Sequence, residues 1–439
     1  MKVYLIMLFV TVITGINAQA EEPIQNLTID QAVDIALKEN RGLAAARIQV
    51  EEARGRSKQA GLYPNPEIES SFGFDTIFAN DGERNFTAGI NQPIPLSGRI
   101  GAQKEVANVN VNLTLSDIAN LERLLVQNVR QTFIELLAIE EQLKLQETLI
   151  NLNSELINGI EAGIKEGLAS QQDLNAVAIA LQQARQEKEV LTALGKSKIY
   201  EINNLLGMPP GFNFAPQGKL EYESLRGLNN YNADTAFSQR PDLRFAGLDI
   251  ERAKADLRLA KTLRFEDITA GIFYENDRLV LDSTGGQITD NDQLIGVKLT
   301  IPLPLFDRKQ GLIAEAQSRG NRAEENFRAL KLTISQEVSD AINRVTTLSQ
   351  LLDTYQTGIL RTAEDNVKLV EDGFKQGLVG IADVIQSRQQ FAALTSSYIN
   401  SVRDYHIALN DLQISTGYYP ASITYNESME VETNNDGKK

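Results

Sequence analysis

The fold is decided by residues 102–158, AQKEVANVNVNLTLSDIANLERLLVQNVRQTFIELLAIEEQLKLQETLINLNSELIN, a run of 57 residues without glycine or proline. At 1.5 Å per residue, this run predicts a helix of roughly 85 Å. An apolar stripe with helical spacing follows one face, at Leu145, Leu149, Leu152 and Leu156. Because so long a helix has no compact core to rest on, it must lie beside other long helices, in a coiled coil or a helical tube.

The same design occurs twice along the chain, which indicates a duplicated fold. Gly163, Gly167 and Leu168 recur 210 residues later as Gly373, Gly377 and Leu378. Each half reads as a helix, a β-hairpin, a very long helix and a second long helix. The predicted segments are the repeats 21–207 and 231–417, the linker 208–230, the hairpins 67–94 and 267–303, and the helical stretches 102–158, 171–206, 312–372 and 381–416.

The first 20 residues have the pattern of a secretory signal peptide. Lys2 precedes an apolar run, Val3–Ile16, and small residues follow at Ala18 and Ala20. The run of 14 residues is too short to span a bilayer of roughly 30 Å. We therefore expect residues 1–20 to be removed on export, and residues 418–439 to form a polar C-terminal tail.

The composition excludes several kinds of chemistry. The chain has no cysteine and one histidine, His406, so it can form no disulfide, no thiolate metal site and no histidine cluster. A formal net charge of −15 makes nucleic acid a poor partner. We expect no catalytic site, no cofactor and no resident metal.

Each predicted hairpin alternates apolar and polar residues, as a strand with two different faces does. The first runs Glu67–Phe78 and Phe86–Ile94, and the second Asp267–Asn276 and Gln293–Leu303, with Asp277–Asp292 as a polar connection. Strands of this length fit a membrane barrel; soluble hairpins packed on a helix layer are the alternative. The predicted lipid-facing residues are Phe72, Phe74, Phe78, Phe86, Ile90, Ile295, Val297 and Leu299.

Four strands cannot close a barrel by themselves. In a bilayer an open sheet edge leaves backbone groups unpaired, at a cost of several kcal/mol each. Two copies would supply eight strands, whose interior is filled by side chains, whereas three copies would supply twelve and leave a lumen. The pattern therefore favours a homotrimer.

Three segments resemble motifs of the TolC family of outer-membrane channels. Residues 27–40 are similar to the family's first helix, 92–99 to the strand-to-helix junction of its heavy-metal efflux (CzcC-like) branch, and 374–384 to its periplasmic tip. The resemblance implies an α+β fold: a long α-helical coiled-coil duct, and four β-strands per chain in a 12-stranded trimeric outer-membrane β-barrel. It also implies the outer membrane of a Gram-negative bacterium, contact with its lipid, a periplasmic adaptor protein and an inner-membrane pump of the RND type.

The resemblance further implies functional roles for the two tips. The matching family position gives Asp383 a place at the periplasmic gate, with Gln386 where the family has a second aspartate, and Asp173 as the equivalent in the first repeat. Helix capping is the alternative role for both aspartates. The predicted adaptor-docking tips comprise Gly163, Gly167, Leu168, Ala169 and Ser170, with Gly373, Gly377, Leu378, Val379 and Gly380; ordinary interhelical turns are the alternative.

Two other functions remain open from the sequence. Within the same class, the chain could serve a multidrug pump or a type I secretion system, since duct and tips look alike in all of these. From another class, a periplasmic coiled-coil adaptor or scaffold also has helical hairpins. Such a scaffold would leave the membrane fraction in salt, whereas a barrel would need detergent.

Overall fold

The computed structural model describes residues 25–74, 82–167, 169–225 and 227–417. The predicted signal peptide, the tail, Phe78 and Leu168 therefore lie outside the described residues.

Two helical hairpins dominate the described chain. The first joins α3, a helix of 67 residues, to α4. In the second hairpin the outer helix has three parts, because a π-helical turn at Tyr355–Ile359 separates α7 from α8. The helices are α1 (Ile29–Glu39), α2 (Arg41–Ala60), α3 (Arg99–Lys165), α4 (Gln171–Leu206), α5 (Ala233–Gln239), α6 (Pro241–Thr262), α7 (Gln310–Thr354), α8 (Leu360–Lys375) and α9 (Ile381–Ser415).

The predicted hairpins join into one antiparallel sheet of four strands in the order β2-β3-β5-β6. The central pairing sets Ile90 of β3 opposite Ile272 of β5, so the two repeats contribute two strands each to a single surface. Within the described chain, β2 and β6 each have one unpaired edge. The strands are β1 (Gln25–Thr28), β2 (Glu67–Phe74), β3 (Arg84–Ile94), β4 (Phe214–Gln217), β5 (Ile268–Ser283) and β6 (Gly286–Thr300).

The second hairpin is longer than its sequence predicted. Residues 277–292 do not form a polar connection: β5 and β6 stay paired up to Ser283 and Gly286, with a two-residue turn between them. Leu281 lies opposite Ile288, and apolar cross-strand pairs of this kind stabilise the ribbon. Gly286 takes a positive φ of 121°, which glycine adopts without steric cost. The second strand, β6, also ends earlier than predicted, at Thr300 instead of Leu303, since Pro302 has no N–H to pair.

The predicted linker also contains a strand. Its β4 pairs in parallel with β1, which leads into α1. Phe214 of β4 is buried in the largest apolar cluster, which also takes in Val33 of α1, Phe133 of α3 and Ile202 of α4. This core fixes the base of the first hairpin to the short helices before it.

Equivalent contacts fasten the base of each hairpin. Asn40, before α2, donates its side-chain N–H to the carbonyl of Leu205 at the end of α4, over 2.9 Å. Arg240, before α6, donates to the carbonyl of Ser415 at the end of α9, over 3.2 Å. Leu205 and Ser415 are 210 residues apart, the offset of the sequence repeat. The two repeats thus share a hydrogen bond at the same position, but the donor is a different side chain in each.

Candidate functional site

The tip of the first hairpin is a short turn between α3 and α4. Gly167 has a φ of 75°, a left-handed conformation that ends α3. Ser170 then begins α4: its hydroxyl accepts the N–H of Asp173, and the Asp173 carboxylate accepts the Ser170 N–H over 2.9 Å. This reciprocal pair is a capping box. The hydrogen bonds from the Ser170 hydroxyl and N–H lower the pKa of Asp173.

The second tip repeats this turn with an apolar residue exposed. Gly377 has a φ of 74°, and the N–H of Leu378 donates to the carbonyl of Gly373 over 2.8 Å. A Cβ on Gly373 would lie 3.3 Å from the Val379 side chain, so glycine permits the close approach of these two residues. Leu378 is 74% exposed.

The predicted gate residues lie in the first turn of α4 and in the first two turns of α9. The carboxylate of Asp383 is exposed and accepts the Gly380 N–H over 3.0 Å, so it caps α9 much as Asp173 caps α4. Gln386 is exposed one turn further along α9. Both aspartates therefore have the capping role, and the gate role of Asp383 stays a prediction.

The two tips lie side by side at the same end of the folded molecule. Ile160 of α3, Val177 of α4, and Ile381 and Val384 of α9 form one buried cluster. Ala169 of the first tip and Phe374 of α8 pack against it. This apolar contact holds Asp173 and Asp383 on neighbouring helix ends.

A half-buried arginine also links the two hairpins near the tips. Arg388 of α9 binds Glu371 of α8 through two N–H groups, at 2.6 and 2.8 Å, and donates to the carbonyl of Leu152 in α3 over 3.2 Å. The sequence analysis missed this link, because only the fold brings residues 152 and 388 together.

The π-helical turn opens a cleft between the outer and inner helices of the second hairpin. Its volume is about 680 Å³. Gly358 and Ile359 line one side, and Gln390 and Phe391 of α9 line the other. The sequence signal was Gly358, a glycine within the second long helical stretch. The first stretch, residues 102–158, has no glycine.

The sheet has two chemically different faces. Strand register puts Phe72 opposite Phe86, with ring centroids 4.8 Å apart, and Ile272 opposite Val297. All of the predicted lipid-facing residues that the structure describes share this apolar face. The most exposed of them is Val297, at 85%.

The other face is polar and strongly acidic. Among the described strand residues it carries six carboxylates and one cation, Lys298, while the register puts one carboxylate, Asp282, and two cations, Arg84 and Arg278, on the apolar face. Asn91 donates to Glu69 over 2.9 Å, and Lys298 lies 3.5 Å from the same carboxylate. Asn85 binds both Glu275 and Asp277. The carboxylates of this face belong to Glu67, Glu69, Glu275, Asp277, Asp290 and Asp292.

Within the described residues, no three His, Cys, Asp or Glu side chains are gathered as a metal site would require. No helix in the same part of the chain is both long and apolar enough to cross a membrane.

Comparison with known proteins gives both a family and a fold. The sequence profile of the outer membrane efflux proteins matches residues 32–207 and 232–418. The chain is 23% identical to the cobalt-zinc-cadmium resistance protein CzcC of Cupriavidus metallidurans, over 83% of each chain. It is also 23% identical to the cation efflux system protein CusC of Escherichia coli, over 87% of this chain and 83% of that one.

Solved channel structures have the same fold. A crystal structure of CusC superposes with a TM-score of 0.74 at 18% identity, covering 89% of this chain and 92% of that one. The open-state MtrE outer membrane channel of Neisseria gonorrhoeae gives 0.69 at 15% identity, covering 89% and 88%. These matches confirm the predicted TolC-like fold.

Proposed function

The chain belongs to the outer membrane efflux protein family, and from this premise we propose that it is the channel subunit through which an efflux assembly passes metal cations out across the outer membrane. Its location is the outer membrane, with the helical hairpins extending into the periplasm. The channel conducts passively, and the energy comes from an inner-membrane pump.

The observation that carries the proposal is the four-stranded sheet with two unlike faces and two free edges. The apolar face suits lipid, and the polar face suits a water-filled lumen. The edges of β2 and β6 need partners within a bilayer. Three copies, each pairing β6 with β2 of the next, give a closed barrel of twelve strands with an open interior.

The polar face supports a cationic substrate. Six carboxylates and one lysine leave a net charge of −5 per chain on this face of the described strands (six negative, one positive). A lumen lined by one sign of charge raises the local concentration of the opposite ion. The relatives CzcC and CusC are named for metal resistance and cation efflux.

The second candidate substrate is an organic solute. The chain is 21% identical to OpmQ of Pseudomonas putida, a pyoverdine export protein, over 77% of this chain and 68% of that one. The acidic polar face favours the cation proposal over this one.

The exposed tips support docking to a periplasmic adaptor that connects the channel to an RND-type pump. Leu378 is a solvent-exposed apolar residue in the turn of the second tip, and the first tip lies beside it through the shared apolar cluster. Replacing Leu378 with Asp is expected to abolish export while membrane insertion and oligomer mass stay normal. Unchanged export in this variant would remove the docking role.

The gate role of Asp383 has a matched control in Asp173. Asn keeps the acceptor oxygen that caps the helix but removes the charge. If Asp383 lines the entrance, Asp383→Asn weakens cation selectivity in single-channel recordings, whereas Asp173→Asn leaves it unchanged. Equal effects of the two substitutions would leave Asp383 with its capping role alone.

The barrel itself is tested by cross-linking, since the chain has no cysteine of its own. Ser70→Cys on β2 is combined in turn with a cysteine at Gln293, Ile295 or Val297 on the other edge strand, β6. We expect oxidation to join chains into dimers and trimers at one register. The control places the second cysteine at Ala270 on β5, an inner strand, and is expected to give no joined chains. A particle with the mass of one chain and full β content would contradict the proposal.

A further inference from the structure

Two arginines lie directly opposite each other on the apolar face of the sheet. Strand register pairs Arg84 of β3 with Arg278 of β5, between Phe74 of β2 and Asn291 of β6. Directly opposed like charges destabilise a strand pair. This arrangement therefore needs a compensating anion.

The described part of the chain supplies no such anion. No carboxylate there forms an ion pair with either guanidinium, and the buried Nε of Arg278 lacks a hydrogen-bond partner. Glu83, the sequence neighbour of Arg84, accepts the Val280 N–H instead, over 3.3 Å. Of the seven acidic residues on the described strands, six lie on the opposite face; the seventh, Asp282, lies four residues beyond Arg278 on β5.

The height of the pair along the sheet points to a particular source of anion. Arg84 is ten residues along β3 from Ile94, where the strand meets the helices. At about 3.3 Å per residue, this is about 33 Å along the strand. A strand tilt of about 40° reduces it to about 25 Å along the membrane normal, the height of the apolar band of a membrane barrel.

Aromatic side chains mark the same boundary. The Phe72–Phe86 pair lies one row below the arginines on the apolar face, and Phe86 contacts Tyr274 with ring centroids 6.4 Å apart. Aromatic residues gather where a membrane barrel leaves the hydrocarbon. Arg84 and Arg278 therefore lie at the level of the lipid headgroups, on the side away from the helices.

We propose that Arg84 and Arg278 together bind a phosphate group on the headgroup of an outer-leaflet lipid. The proposal rests on the proposed function, which puts the sheet in the outer membrane. Guanidinium groups form paired, charge-assisted hydrogen bonds with phosphate oxygens. One phosphate between the two side chains satisfies the free Nε of Arg278 and turns their repulsion into a shared attraction.

The test measures lipid binding by protein purified in an uncharged, phosphate-free detergent. The probes are diphosphorylated lipid A, the same lipid without phosphates, and inorganic phosphate. We expect native mass spectrometry to show phosphorylated lipid bound to the wild type, with about tenfold or greater loss of affinity in R84Q/R278Q, since each charged hydrogen bond contributes about 1.5–3 kcal/mol. K298Q is the control, because it removes a cation from the opposite face.

Thermal unfolding provides a second readout, because the difference in melting temperature between the two proteins should change sign when lipid is added. Without lipid, R84Q/R278Q is expected to melt at or above the wild-type temperature, because the repulsion is gone. With phosphorylated lipid A, the wild type is expected to melt higher. Equal retention of phosphorylated lipid by both proteins would overturn the proposal, as would equal stabilisation by inorganic phosphate.

Failure of this proposal is distinguishable from failure of the proposed function. A wild-type chain that leaves the membrane fraction in salt contradicts the channel function. A membrane-embedded, conducting R84Q/R278Q protein that still retains phosphorylated lipid A contradicts only the phosphate site.

Discussion

The two helical hairpins have the same plan but are held differently. In the first, the outer helix α3 continues without interruption to the tip and buries Asn153 and Ile160 there. In the second, the π-helical turn interrupts the outer helix, and α8 beyond it buries no residue. Elements with little buried surface open at low free-energy cost. We therefore expect the outer helix of the second hairpin to open more easily than that of the first.

The contacts at the bases of the hairpins also differ, and there the second hairpin has the more strongly charged ones. Asn40 fastens the first with neutral hydrogen bonds, while Arg240 fastens the second with a buried charge network. Arg240 is bonded to Asp242 at 2.5 Å and to Glu337 at 2.5 Å. Burial by itself would raise the pKa of Asp242, but its hydrogen bonds and ion pair with Arg240 lower it overall. The hairpin with the looser tip thus has the more strongly charged base.

The largest expected effect comes from breaking the charged base. Arg240→Ala leaves Glu337 without its partner, leaves Asp242 only the longer ion pair with Arg123 at 3.6 Å, and removes a donor from the Ser415 carbonyl. We therefore expect a loss of about 3–5 kcal/mol in the free energy of unfolding. Denaturant titration of the purified protein measures it. Arg344→Ala is the control: its ion pairs are more exposed and contribute less than about 1 kcal/mol. Equal losses in the two variants would contradict the buried role.

The neutral base is expected to give a smaller effect. Asn40→Ala removes the cap on the Leu43 N–H and the bond to the Leu205 carbonyl, at a cost of about 1–2 kcal/mol. The same titration measures it. A loss as large as that of Arg240→Ala would end the distinction between a neutral and a charged base.

A matched pair of glycines tests the difference between the outer helices. Gly159 in α3 and Gly358 in the π-helical turn both have open space where a Cβ would lie. Alanine stabilises a regular helix by about 1 kcal/mol relative to glycine. We expect Gly358→Ala to slow amide hydrogen exchange throughout 355–375, and Gly159→Ala to slow it only nearby. Exchange of 355–375 that is unchanged by Gly358→Ala would count against a mobile second hairpin.

The smallest effect concerns the acid sensitivity of the first tip. Because its capping bonds lower the pKa of Asp173, its contribution to stability is present above the pKa of the unfolded chain, and is lost as pH falls through the lower folded value. Asp173→Asn keeps the cap but does not titrate. Between pH 5 and pH 2, roughly the range around the usual aspartate pKa, the melting temperature of the wild type should fall further than that of the variant. Parallel curves would show that the charge of Asp173 contributes nothing to stability.

Much of this architecture could be predicted from the sequence because long-range periodicity is a strong signal. The absence of Gly and Pro predicted α3, and alternation predicted which residues of β2 and β3 share a face. The length of β5 and β6 could not be predicted, because residues 277–292 are mostly polar and their cross-strand pairing is not visible in one sequence. The Arg84–Arg278 pair and the Arg388 link depend on register and packing between distant segments, which periodicity does not encode.

The most direct test of the account is the ion selectivity of the purified protein in a planar bilayer with asymmetric potassium chloride. If the acidic face of the sheet lines the lumen of a barrel built from several chains, the reversal potential will show preference for cations. The preference should weaken when Glu275 and Asp277 are replaced by Gln and Asn. An anion-selective channel, or a membrane-inserted protein without conductance, would contradict the account.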